Sequence, residues 1–261
     1  MRIRSTLAIA TICVLTMGQP GWAITIFPAG DEGVGPGDLR PNSDAVAAAF
    51  DAAAGALGTV RVVDLENLPT GAFSSIQLAP GVTATLTNAD SSVSGIIVTG
   101  GSAADGFNTT SGGSAFLRVA PLQDAGITSV TLGFQFEQGI QAGGMFLTGL
   151  GTNWGTLTAT FDDGTLPQEV QGLRVEGAEF FGFTAPGANI RAIELTFTNL
   201  AGFAAGRDLF AFDDLRFVTT QQSVATPEPA TAGLLLVSAA LAALGMLVKR
   251  YGTRRATCNE A

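Results

Sequence analysis

The sequence contains no histidine, which removes the commonest general base, the Ser-His-Asp triad and imidazole metal sites together. Its only cysteines, Cys13 and Cys258, stand near opposite ends of the 261 residues. Disulfides, thiolate catalysis and cysteine-based zinc sites are therefore closed to everything between them. Carboxylates remain. Two facing carboxyls can hydrolyse a glycosidic bond, and Asp162-Asp163 is the nearest such pair. Adjacent strand residues point to opposite faces, however, and this pair runs into Gly164, so it reads as a solvated turn and no catalytic residue is assigned. Asp213-Asp214 poses a different problem: Phe210 and Phe212 share the parity of Asp214, while Leu215 and Phe217 share that of Asp213. One of the two must face apolar neighbours unless a bulge shifts the register. Because an unpaired buried carboxylate is costly, a cation, an arginine such as Arg207 or a bulge has to resolve the conflict.

Strands are the elements that must hold these residues. Val130, Leu132, Phe134 and Phe136 alternate with polar or small residues, as do Leu157, Ala159 and Phe161, then Ile193, Leu195 and Phe197. Pro80-Gly81, Gly100-Gly101, Gly112-Gly113, Gly143-Gly144, Asp163-Gly164 and Pro186-Gly187 punctuate the runs as turns. A helix is predicted earlier, started and capped by Pro41-Asn42-Ser43, with Val46, Phe50, Ala53 and Leu57 on its apolar face and Gly58 at its end. After residue 60 nothing is long enough for a βαβ crossover. The expected fold is thus mainly β, an antiparallel, jelly-roll-like β-sandwich over 60–219 preceded by a segment, 24–59, with one short helix. All seventeen phenylalanines fall in this central region and read as core; Trp154 is its lone Trp or Tyr, which gives weak support to sugar stacking. Asn108-Thr109-Thr110 matches a glycosylation sequon but reads as a polar loop.

Formal charge is −9 although Arg2, Arg4, Lys249, Arg250, Arg254 and Arg255 crowd the termini. The middle is more acidic than the total, and its scattered arginines cannot neutralise a run of phosphates, so nucleic acid is not an expected partner. Arg2 and Arg4, the apolar stretch Leu7 to Met17 and the small-residue finish Gly21-Trp22-Ala23 predict a signal peptide over 1–23. At the other end a linker, 220–231, leads into residues 232–248, which carry no charge. Seventeen residues reach roughly 25 Å as a helix, enough to span a thin bilayer core once. Basic residues in the tail, 249–261, place the central region outside.

Pro227-Glu228-Pro229, an apolar helix and then Lys249-Arg250 and Arg254-Arg255 resemble the PEP-CTERM sorting signal. That resemblance implies an exosortase-like membrane protease as partner, a membrane-held intermediate and delivery to the cell surface or beyond. Val63-Asp64-Leu65-Glu66, Phe180-Phe181-Gly182-Phe183 and Phe212-Asp213-Asp214-Leu215-Arg216-Phe217 look like the ectodomains of that family and, more weakly, are similar to carbohydrate-binding jelly rolls. In the latter, first and last strands offer a Glu and an Asp to a structural calcium, which implies Glu66 and Asp213 as ligands here. The expectation is a non-enzymatic exported surface or matrix protein associated with exopolysaccharide. The alternative is a calcium-dependent carbohydrate-binding module, with a carboxylate-only glycosidase third.

Overall fold

The computed structural model describes residues 23–98, 101–122, 129–151, 155–199 and 209–220. Residues 1–22 of the expected signal peptide, Trp154, Arg207, the Pro227-Glu228-Pro229 motif, residues 232–248 expected to cross a membrane and the basic tail lie outside them. No helix among the described residues is long and apolar enough to cross a membrane. In chain order the elements are β1 (Thr25–Glu32), α1 (Pro41–Gly55), β2 (Arg61–Val63), β3 (Ser75–Ala79), β4 (Val82–Thr87), β5 (Gly95–Ile97) and β6 (Phe116–Val119). Then come β7 (Ser129–Thr148), β8 (Gly155–Phe161), β9 (Gln168–Val170), β10 (Gly177–Thr184), β11 (Ile190–Asn199) and β12 (Phe210–Thr219).

The strands pair antiparallel in one continuous sheet that folds over at β7. The first half of β7 lies between β4 and β11, with Phe134 opposite Ala84 and Ile193; its second half lies between β10 and β12, with Phe146 opposite Phe180 and Asp213. One layer is therefore β3-β4-β7-β11-β8-β9, and the other is β1-β10-β7-β12 with β2 and β6 beside β12 and β5 beyond β6. The predicted alternation closes them: Val130, Leu132, Phe134 and Phe136 meet Met145, Leu147, Phe181, Phe183, Phe212 and Phe217 in one buried cluster. Rings touch across the gap at centroid distances of 5.3 Å for Phe134–Phe212, 4.7 Å for Phe161–Phe183 and 5.5 Å for Phe136–Phe217, the spacing at which aromatic pairs attract. This is an antiparallel β-sandwich.

Helix α1 covers the outer face of the second layer, where Ala47, Phe50 and Ala54 pack on Ala142, Phe146, Phe180 and Val218. Val46 and Leu57, predicted on its apolar face, are half-buried, and Ala54 rather than Ala53 is fully inside. Gly143-Gly144 is not a turn but mid-strand in β7. A Cβ on Gly144 would stand 2.8 Å from the Phe180 ring, and one on its register partner Gly182 would stand 2.9 Å from Phe50. The two glycines make a floor flat enough for the helix to set its ring down. Segment 24–59 is likewise part of the sandwich, since β1 pairs with β10 over its whole length.

Strand β1 also caps the helix. Asp31 accepts from Asn42 N (3.1 Å) and Asn42 Nδ2 (2.9 Å) on one oxygen and from Ser43 N (2.8 Å) and Ser43 Oγ (2.7 Å) on the other. The predicted cap residues thus donate to a distant carboxylate instead of capping themselves, because that carboxylate satisfies two first-turn N–H groups at once. Burial alone would raise the Asp31 pKa, but the hydrogen bonds from Ser43 and Asn42 outweigh it and hold it below the ordinary value. Asp31→Ala should cost about 1–2 kcal/mol in urea unfolding at neutral pH. The folded-state pKa is lowered, so that contribution is complete above the unfolded value and fades as pH falls through the folded one; the variant and parent should converge in acid.

One carboxyl sits in the interior itself. Glu179 of β10 is 2% exposed and stands between Gly30 and Leu147 in register. Its Oε2 has no hydrogen-bond partner, and burial pushes its pKa up to about 8.

Candidate functional site

A groove of about 640 Å³ runs between the segment from Gly35 to Asp44 and the segment from Phe107 to Ser114, with Val98 and Phe116 also lining it. Its second wall is a loop of hydrogen-bonding side chains interrupted by glycines, Asn108-Thr109-Thr110-Ser111-Gly112-Gly113-Ser114. Such a sequence has no strand or helix preference of its own and needs anchors. Three charged residues supply them.

Asp213 is the first anchor. The register of β12 against β7 shifts between Asp213 and Arg216, and Asp214 takes φ 52°. A bulge is therefore what resolves the parity conflict: Phe212 and Leu215 both face the core, and both aspartates leave it. Asp213 Oδ2 accepts from Thr109 N at 2.7 Å, Thr109 Oγ1 at 3.0 Å and Thr110 N at 3.1 Å, while Oδ1 accepts from Asp214 N at 2.8 Å. Thr110 Oγ1 lies 2.7 Å from Asp214 Oδ1 and 3.3 Å from Asp213 Oδ2, one hydroxyl hydrogen for two carboxyls. Burial and the charge of Asp214 push Asp213 up to about 7, against the opposing pull of the Thr109 and Asp214 N–H groups. Arg216 lies 3.5 Å from Asp214 Oδ2 and donates to Asp51 Oδ2 of α1 at 2.8 Å, tying the bulge to the helix.

Glu66 is the second. Its Oε1 accepts from Asn108 Nδ2 at 2.9 Å, Ser114 N at 2.8 Å and Ala115 N at 2.9 Å, closing the loop at its base. A Cβ on Gly113 would stand 2.4 Å from that oxygen, so any larger residue there would have to push the Glu66 carboxylate off its donors. Asn108 gives its other hydrogen to the Ala115 carbonyl at 2.6 Å, leaving no amide hydrogen free for a sugar, in keeping with the polar-loop reading of the sequon. The third anchor is Arg40, which donates to the Thr109 carbonyl at 2.8 Å while its guanidinium lies 4.9 Å from the Phe146 ring centroid.

The two residues expected to share a calcium thus do meet on one segment, because β2 lies beside β12 with Val63 opposite Leu215. There they hold N–H and O–H donors. Among the described residues no group of three or more His, Cys, Asp or Glu stands close enough to hold a metal ion. Glu66 Oε2 keeps only a 3.4 Å contact with Ser114 Oγ, and the calcium expectation is checked by melting in millimolar calcium and in chelator: a rise of several degrees with calcium supports it, and equal temperatures end it.

Asp162 and Asp163 accept from Arg191 N and Thr165 N, each at 2.9 Å, as exposed turn carboxylates. The roles of Arg40 and of Thr109-Thr110 escaped the sequence reading. The signal that could have found them is the run of five hydrogen-bonding side chains around two glycines, which has to be tied down by something else.

No family model matches the chain, and no curated protein matches it. Among solved structures, it is similar to a mutant of the carbohydrate-binding module CBM29-2, with 10% identity and TM-score 0.33 over 62% of this chain and 93% of that one. It is also similar to TmCBM61 in complex with β-1,4-galactotriose, with 13% identity and TM-score 0.26 over 62% and 90%. A third is the enzymatically active domain of bacteriophage CBA120 tailspike protein 4, with 11% identity and TM-score 0.31 over 53% and 19%. Likeness at this level assigns neither family nor ligand.

Proposed function

We propose that this chain is an exported, non-catalytic β-sandwich that binds a polysaccharide in the groove between residues 35–44 and 107–116. Its C-terminal segment would address it to the cell surface. The observation that carries the binding reading is the construction of the groove wall, a hydroxyl- and amide-rich loop fastened by Asp213, Glu66 and Arg40. A wall ordered in advance loses little further entropy when a ligand arrives. The Ser111 hydroxyl as donor, the Thr109, Thr110 and Ser114 hydroxyl oxygens and the Asn108 amide oxygen as acceptors, with Asp38 and Asp44 opposite, offer the mixed donors and acceptors that a ring of sugar hydroxyls needs. Glycoside hydrolysis fits less well. The carboxyls with raised pKa, Glu179 and Asp213, are buried and neither lines the groove, Asp213 standing behind Thr109 and Thr110, whereas hydrolysis needs tuned carboxyls at the scissile bond.

The test is the full-length chain on an array of soluble and insoluble polysaccharides. Binding to at least one polymer is expected, and Ser111→Trp, which fills the groove from an exposed position, should weaken it about tenfold or more with an unchanged melting temperature. Binding unaffected by that variant would move the ligand elsewhere; no binding at all would end the reading. Sorting is a separate part of the proposal and rests on Pro227-Glu228-Pro229, residues 232–248 and the basic tail, read as a signal for an exosortase-like protease acting on a membrane-held intermediate. Changing the three motif residues to alanine should abolish processing and surface display in a host with an exosortase; undiminished display would refute it.

A further inference from the structure

We infer that the groove discriminates by charge: it takes a neutral hexose polymer and rejects one carrying uronate carboxylates. This rests on the glycan-binding reading and names the ligand class of that same site. Three charged side chains line the groove, Asp38, Arg40 and Asp44. The sole cation among them is sunk. The Arg40 side chain is 15% exposed against 52% for Asp44. Its guanidinium engages Thr109, the Phe146 ring and Asp44 itself at 3.5 Å, and its Nη1, which has no hydrogen-bond partner, is buried away from solvent. Asp38 is exposed, with one oxygen accepting from Gly35 N at 2.8 Å and the rest of its carboxylate open. A ligand entering the groove therefore meets carboxylates first and the guanidinium hardly at all.

The surroundings reinforce that sign. Between residues 24 and 220 the sequence has twenty acidic residues, seven arginines and no lysine. Like-charge contacts suppress wrong partners, and at low salt the field of the whole domain extends over about 10–30 Å. A polymer with a carboxylate on every residue is repelled along its length. A neutral polymer keeps the same hydroxyl hydrogen bonds without that penalty, and Asp38 and Asp44 become acceptors for its hydroxyl hydrogens.

The experiment compares a neutral polymer with its own oxidised form, in which C6 primary hydroxyls have been converted to carboxylates, by native affinity electrophoresis of the full-length chain. The oxidised form should bind about tenfold more weakly at 20 mM salt, and the gap should narrow at 0.5 M salt. In the double variant Asp38→Asn, Asp44→Asn the ratio of the two affinities should fall most of the way to one, even as the loss of two carboxylate acceptors weakens binding to the neutral polymer. Equal or tighter binding of the oxidised form by the unmodified protein overturns the inference and leaves the glycan reading standing. A gap that persists in the double variant also overturns it, because the discrimination then lies elsewhere. If neither form of any polymer in the array binds, the glycan reading fails and this inference with it.

Discussion

Between pH 5 and 8 this protein should lose stability as the pH rises, by about 1.4 kcal/mol per unit for each carboxyl that the fold keeps protonated. Glu179 is the main cause. Its ordinary value of 4.5 is pushed to about 8 by burial. Between those values the folded state holds a proton that the unfolded chain releases. The unfolded state therefore binds fewer protons, and stability falls with pH until about 8, where the difference vanishes. Asp213, raised to about 7, adds a second slope that ends earlier. Glu179→Gln keeps the shape and removes the titration, so its stability should still fall up to about pH 7 and run flat from there to 8. At pH 8 it should exceed the parent by several kcal/mol, because burying an ionised carboxylate without a partner is the costlier state. Urea unfolding of both proteins at pH 5, 6, 7 and 8 gives the curves. Parallel curves would mean that Glu179 finds water or a cation in the folded state.

Asp213→Ala should be the most damaging single change in the groove region. It strips the acceptor from Thr109 N, Thr110 N and Asp214 N at once at a site with no exposure. Each unsatisfied buried donor costs about 1–3 kcal/mol, and a loss of about 3–5 kcal/mol is expected after partial relaxation. Asp213→Asn keeps one acceptor oxygen and should lose roughly half as much. Hydrogen exchange should locate the damage in residues 107–115, with the sandwich strands protected until global unfolding. Asp162→Ala, which removes one exposed turn acceptor, should stay within about 1 kcal/mol. Uniform loss of protection across the strands in the Asp213 variants would show that Asp213 supports the core and not the loop.

The sandwich was legible because its strands obey a period of two: the inward residues of β7, β8 and β11 are those that alternation picks out. Helix α1 was legible from Pro41 and the apolar spacing around Phe50. Two features were not. Strand β1 carries Pro28 and Gly30, which read as loop residues, yet an edge strand tolerates a missing N–H, and Leu173 lies over the space where a Gly30 side chain would be. β7 runs for twenty residues through Gly139, Gly143 and Gly144, and glycines that admit neighbouring rings look in sequence like glycines that turn a chain. For the groove, the conflict at Asp213-Asp214 was visible, and Glu66 was named only through the resemblance, as a calcium ligand. That both carboxyls fasten one loop was not, because the loop's partners lie 42 to 104 positions away.

The position of β12 governs when the chain can fold. This last described strand is bonded to β2, β6 and β7, and β1 waits for β10, whose residues lie about 150 positions downstream. In a nascent chain emerging from its amino end, β2, β5 and β6 therefore have no link to the rest of the sheet until β12 is free, and the search for such distant partners is intrinsically slow. Fragments that stop before residue 210 should remain unfolded and sensitive to protease, while the full chain acquires resistance late and in a single step. A polypeptide with that schedule stays threadable for most of its synthesis.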